Sequence, residues 1–167
     1  VLDADRLPWS KYDIDVVVDC SGAYLSRGKA QKHLDAGARR VLLSAPAGPD
    51  VPAIVYSVNT ETLTPGDRIV SAASCSTNAL GPMVRALLGY APILSGTMTV
   101  VHGYTATQTL IENAQKQNNL RRSRAAAVNM IPTVSEAATA VGRVIPELDG
   151  KLMGSAVRVP VQAGCYI

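Results

Sequence analysis

The sequence predicts an α/β chain, a parallel sheet of strand–helix–strand units that gives way to a mixed α+β region. Three observations predict it. Short apolar runs recur at residues 14–20, 40–46, 53–58 and 68–73, each of strand length and each bounded by turn residues. A helical segment at 26–36 separates the first two, and strands joined through a helix run parallel. From Cys75 onward the order changes to helix, long strand, long polar loop, short helix, strand.

Composition bounds the reading. At 167 residues and 47% hydrophobic content, the chain suits one good core or pieces of two, and a globular reading beats a disordered one. The longest apolar runs, such as Val16-Val17-Val18 and Val41-Leu42-Leu43, are too short for a membrane helix. The charged N-terminal residues carry no signal-peptide apolar core. Three cysteines, Cys20, Cys75 and Cys165, form no C-x-x-C pair. That pattern points to free thiols in a reducing cytoplasmic compartment and to no metal site. A net charge of +3 suits a small anionic substrate and is too weak to argue for nucleic acid.

Each element follows from local signals. The run 14–20 reads as a buried strand that ends at Ser21-Gly22, and Gly37 is placed to stop the helix that follows. Pro46 and Pro49 force a loop after the strand at 40–46. Residues 53–58 read as a further strand, Pro65-Gly66-Asp67 as a turn, and 68–73 as the strand leading to Ser74-Cys75-Ser76-Thr77-Asn78. A helix is expected over 79–88 and a strand over 95–102, ending in His102. Residues 103–123 are rich in Asn, Gln and Arg with little periodicity, and a loop that long is usually functional or covered by a partner. A helix at 135–144 and a strand at 152–159 close the pattern, with no repeat or linker.

Two stretches carry chemistry. Cys75 stands at a strand-to-helix turn, with Ser74 as N-cap, among N–H groups that have no intrahelical partner. Positive potential at a helix start favours a thiolate, the nucleophilic form of cysteine. The competing reading is a buried cysteine used as a small apolar residue. His102 lies 27 residues later, an interval that fits a helix and a returning strand, so its imidazole can come back beside the sulfur as a base. Arg121-Arg122-Ser123-Arg124 reads either as an anion site or as a solvated basic loop.

The wording around these residues resembles phosphorylating glyceraldehyde-3-phosphate dehydrogenase. The resemblance rests on Ala73-Ser74-Cys75-Ser76-Thr77-Asn78, on Thr99-Val100-Val101-His102-Gly103-Tyr104-Thr105-Ala106-Thr107-Gln108, and on Arg121-Arg122-Ser123-Arg124-Ala125-Ala126-Ala127. It continues through Val144-Ile145-Pro146-Glu147-Leu148-Asp149-Gly150-Lys151-Leu152 and Arg158-Val159-Pro160, and spans about Leu7 to Pro160. It implies an incomplete Rossmann-type sheet over 1–74, the later part of an NAD-binding domain, with the first part of a catalytic domain over 75–167. The absence of any G-x-G agrees with a missing pyrophosphate cradle, and the resemblance implies that roughly the first half of the cofactor domain is not in this sequence.

By the same resemblance Cys75 is the nucleophile and His102 the base of an NAD-dependent glycolytic oxidation of glyceraldehyde 3-phosphate with inorganic phosphate. Thr105, Thr107, Arg122 and Arg158 match groups around the substrate phosphate, and Ser74, Ser76, Ser135 and Glu136 positions around the attacking phosphate. Glu136 stands where the family has glycine and is expected to face outward at the first turn of its helix. Ser21, Gly22 and Ser44, with Ala45 and Pro46, match the lining of the dinucleotide cleft. A cytoplasmic homotetramer follows by analogy, with the loop 103–123 at a subunit interface. Ala72, Ser135-Glu136, Thr139 and Ala163-Gly164-Cys165 depart from the usual family residues. The altered phosphate loop keeps open an erythrose-4-phosphate dehydrogenase-like enzyme, and the missing pyrophosphate cradle and unfinished catalytic domain keep open a non-catalytic binding or structural piece.

Overall fold

The structure is a computed structural model that describes residues 3–114, 119–162 and 165–166. Residues 115–118 of the long polar loop, and Ala163-Gly164, lie outside the described residues. The elements in order are β1 (Val16–Asp19), α1 (Arg27–Asp35), β2 (Arg40–Leu43), β3 (Ile69–Ser71), α2 (Cys75–Leu88), β4 (Gly96–Gly103), β5 (Ile131–Thr133), α3 (Ala137–Val144), β6 (Leu152–Val159) and β7 (Cys165–Tyr166).

The first sheet has the order β1-β2-β3 with every pairing parallel, as the strand–helix–strand pattern requires. α1 covers one face, with Ala30 and Leu34 against Val41, Leu43 and Ile69. Gly37 ends α1 at φ +110°, and a Cβ there would meet the Ser10 backbone at 2.5 Å, so only glycine fits. β1 is not the fully buried strand its apolar run suggests. Val17 and Asp19 turn inward while Val16 and Val18 are exposed, because no described element covers that face.

The expected strand at 53–58 does not form. Ala53 makes one isolated bridge to Ser71, and the chain then turns through Ser57 at φ +59°. The Asn59 amide takes the place of a ladder, accepting from the Val55 N–H at 2.8 Å and donating to the Ala53 carbonyl at 2.9 Å. Val55 and Val58 still enter the core, so the apolar pattern was real and only its backbone differed.

The second sheet has the order β5-β6-β4-β7. β4 and β6 run parallel over their full length, from Gly96↔Leu152 to Gly103↔Val159, and β5 and β7 are antiparallel additions. α2 and α3 pack on one face, where Leu80, Val84, Met98, Val100, Val141, Val144 and Leu148 form the larger core. Each such side chain contributes about 1.5–3 kcal/mol on burial. Alternation along β4 sends Met98, Val100 and then His102 to the same side of the sheet. The parallel register sets Arg158 directly beside His102. The core face of this sheet therefore runs out, at its C-terminal end, into two side chains that carry chemistry.

Candidate active site

Cys75 is the first residue of α2, four residues before the start that helix propensity suggests, and Ser74 is its N-cap. The Ser74 hydroxyl accepts from the Thr77 N–H at 3.0 Å, leaving the N–H groups of Cys75 and Ser76 without an intrahelical partner. The turn before it is strained: Ala73 has φ +58°, a left-handed conformation that costs a non-glycine residue on the order of 1–2 kcal/mol. Side chains hold it from both sides. Ser71 Oγ accepts from the Ala73 N–H at 3.0 Å and donates to the Ala45 carbonyl at 2.7 Å. Asn78 Nδ2 donates to the carbonyls of Ala72 at 2.6 Å and Ser74 at 2.8 Å. Strain so bracketed aims the cysteine rather than relaxing.

Cys75 is exposed, and its Sγ lies 3.7 Å from His102 Nε2. His102 Nδ1 lies 2.6 Å from the Gly103 carbonyl oxygen and 3.2 Å from Arg158 Nη1. Both partners cannot be served at once. A carbonyl only accepts, so Nδ1 carries the hydrogen and donates to Gly103, while Arg158 donates to the same carbonyl at 3.0 Å. The Nε2 lone pair is thereby left facing the sulfur.

Arginines surround the pair. Arg158 also reaches Thr105 Oγ1 at 3.4 Å, and Arg122 donates to Thr107 Oγ1 at 3.0 Å and Thr133 Oγ1 at 3.5 Å. Arg122 Nε is buried with no hydrogen-bond partner. Partial burial, then the neighbouring Arg122 guanidinium, hold Arg158 below the ordinary arginine range, opposed by the charge of the Cys75 sulfur. None of the ion pairs among the described residues involves Arg122, Arg143 or Arg158. Like charges without a carboxylate partner, half-buried at Arg122 and Arg158, are suited to an incoming anion.

Two cavities meet at Cys75, Ser76 and His102. The smaller, about 330 Å³, is walled by Val100, Gly103, Tyr104, Thr105 and Val161. The larger, about 790 Å³, takes Pro46 and Ala47 from the loop after β2, Ser74, Arg122, Ser135, Glu136 and Arg158. Of the residues expected from sequence, Cys75, His102, Ser74, Ser76, Arg122, Ser135, Glu136, Arg158 and Thr105 thus line one cavity or the other, and Thr107 bonds to Arg122 behind them. Glu136 is exposed as expected yet borders the larger cavity, because it precedes α3 instead of lying in its first turn. Ser21, Gly22 and Ser44 are exposed at the carboxyl ends of β1 and β2 and line neither cavity. Sequence reasoning missed Thr133, noted Thr139 only as a departure from the family, and missed Arg143; all three border the larger cavity. Helical spacing from Glu136 to Thr139, Ala140 and Arg143 was the signal that would have found the last two.

The family model described as glyceraldehyde 3-phosphate dehydrogenase, C-terminal domain, matches residues 74–167. The chain belongs to the glyceraldehyde-3-phosphate dehydrogenase family. It is 56% identical over 162 residues to the glyceraldehyde-3-phosphate dehydrogenase of Lactobacillus delbrueckii subsp. bulgaricus, an alignment covering 96% of this chain and 48% of that protein. The protein of the same name from Clostridium pasteurianum is 46% identical over 162 residues, covering 97% of this chain and 48% of that protein. The chain therefore spans about half the length of the curated relatives it matches.

Proposed function

We propose that the full-length protein oxidises glyceraldehyde 3-phosphate, with inorganic phosphate, to 1,3-bisphosphoglycerate through a thioester on Cys75, as a glycolytic, NAD-dependent, cytoplasmic enzyme. The observation that carries this is the 3.7 Å approach of Cys75 Sγ to His102 Nε2 at the junction of two cavities, one of them bordered by arginines. His102 takes the thiol proton and leaves a thiolate that attacks the aldehyde carbon. The imidazolium returns that proton to the new alkoxide, then removes it again as the carbon is oxidised to a thioester. Phosphate attacks the thioester carbonyl, the C–S bond breaks, and the sulfur leaves as the thiolate that began the cycle. Arg158 with Thr105, and Arg122 with Thr107, hold the substrate phosphate, and Ser74, Ser76 and Ser135 surround the attacking one.

NAD, when bound, supplies the hydride acceptor. The carboxyl ends of parallel strands are where dinucleotides bind in such sheets. Gly22, at φ +71° with no heavy atom within 4 Å of where a Cβ would sit, leaves open backbone there, while the buried Asp19 Oδ2 has no partner. Ser21, Gly22 and Ser44 would line that cleft, and the sheet over 1–74 would be the later part of the cofactor domain. Apolar side chains exposed over the long loop and β6, Leu110, Ile111, Leu120 and Met153 among them, support a subunit interface in a homotetramer.

The test is phosphate-dependent NADH formation by the full-length protein. Cys75→Ser should abolish it, and persistence of turnover in that variant would sink the proposal. Ser135-Glu136 at the phosphate cavity favours a second reading, in which erythrose 4-phosphate is preferred. Relative kcat/KM on the two sugar phosphates separates them.

A further inference from the structure

We infer that Arg143, with Thr139, forms a further recognition wall for the attacking inorganic phosphate, a reading that rests on the function just proposed. α3 presents two stripes. Ala137, Ala138, Val141 and Val144 enter the core, so helical spacing sends Glu136, Thr139, Ala140 and Arg143 to the opposite side, and all four border the larger cavity. Three arginines face that space against one carboxylate, Glu136. Arg122, bonded to Thr107 and Thr133, and Arg158, bonded to Gly103 and Thr105, are given by that function to the substrate phosphate. The Arg143 side chain is exposed, with no hydrogen bond or ion pair among the described residues. It is the arginine of this cavity that the substrate phosphate leaves unused.

Position on α3 points to the phosphate it serves, since Thr139 and Arg143 follow Ser135 on the wall assigned to the attacking phosphate. Thr105 and Arg158 mark the side of the site beside His102, and Thr105 borders the smaller cavity. Ser135, Thr139 and Arg143 border only the larger one, which Arg122 and Arg158 also border. A dianion held in the larger cavity has the Ser135 and Thr139 hydroxyls and the Arg143 guanidinium on its α3 side. The competing role for Arg143 is electrostatic: it lies in the last turn of α3, where a cation favours the helix dipole.

Arg143→Gln in the full-length protein should raise the KM for inorganic phosphate roughly 5- to 20-fold, as expected for a lost charge-assisted contact that is partly screened by solvent. The KM for the aldehyde should stay within about twofold, and Arg143→Lys should recover part of the loss. A rise in the aldehyde KM instead would assign Arg143 to the substrate's own phosphate and overturn the inference. Unchanged constants, with or without a lower Tm, would reduce the residue to a helix-dipole role and overturn it too. Protection of Cys75 from iodoacetamide by inorganic phosphate reads the same contact without turnover. Protection weakened in Arg143→Gln supports the inference even if the proposed oxidation is wrong, and equal protection in both proteins overturns it even if the oxidation is right.

Discussion

The chain has two histidines, and their surroundings hold them in opposite tautomers. His33, on α1, is 4% exposed, its Nδ1 accepts from the Trp9 indole N–H at 3.2 Å, and the Tyr24 ring stands edge-on at 4.8 Å. Its hydrogen is therefore on Nε2, which is buried without a partner. His102 donates from Nδ1 to the Gly103 carbonyl, so its lone pair is on Nε2 and meets a sulfur at 3.7 Å. One imidazole spends its lone pair on packing, whereas the other keeps it for a proton. The difference lies in the partner of the first nitrogen and not in the residue type.

The largest effect should come from removing the available lone pair. His102→Asn should lower turnover by about 10²–10⁴-fold and slow alkylation of Cys75. His33→Asn should leave turnover per folded molecule within about threefold while lowering stability by about 1–3 kcal/mol, measured by denaturant unfolding. If the His33 variant slowed alkylation as much as the His102 variant, the contrast between the two neighbourhoods would collapse.

Arg158 tests whether the surroundings of His102 are specific to a phosphorylated ligand. Arg158→Ala should reduce kcat/KM for glyceraldehyde 3-phosphate by roughly 10- to 150-fold and leave unphosphorylated glyceraldehyde nearly unaffected. Equal losses on both aldehydes would show that the residue only positions His102 through their shared Gly103 carbonyl. A labelling race sharpens the comparison further. Cys20 and Cys75 are both exposed, yet only Cys75 has an imidazole beside it. Iodoacetamide at neutral pH should modify Cys75 at least tenfold faster, and comparable rates would mean that exposure alone governs reactivity. The smallest effect is expected at Glu136. Glu136→Gln should lower the KM for inorganic phosphate by about two- to threefold, since a carboxylate near a phosphate costs on the order of 1 kcal/mol in water. An increase in that KM would mean the side chain helps hold the site.

Much of this was legible locally. Ser74 before Cys75 announced a capped helix start, Gly37 a helix stop, and apolar runs on either side of α1 a parallel pair. Those features depend on neighbours a few residues away, within reach of propensity and capping. Residues 53–58 show where local reasoning stops. Their composition suits a strand, but the Asn59 side chain satisfies the same backbone groups by another route. Val16 and Val18 show it again, since an apolar run says what a strand contains and not what covers it.

By itself the sequence determined which side chains this protein possesses for chemistry, a cysteine at a helix start, a histidine at a strand end and a group of arginines. Only the tertiary structure decided how they meet. The β4–β6 register sets Arg158 beside His102 across 56 residues of chain, and the bracketed turn at Ala73 brings the sulfur to that imidazole. α3 adds Arg143 because its other stripe is claimed by the core. Residue types are local, whereas distances between residues far apart in the chain depend on packing, which no short stretch encodes.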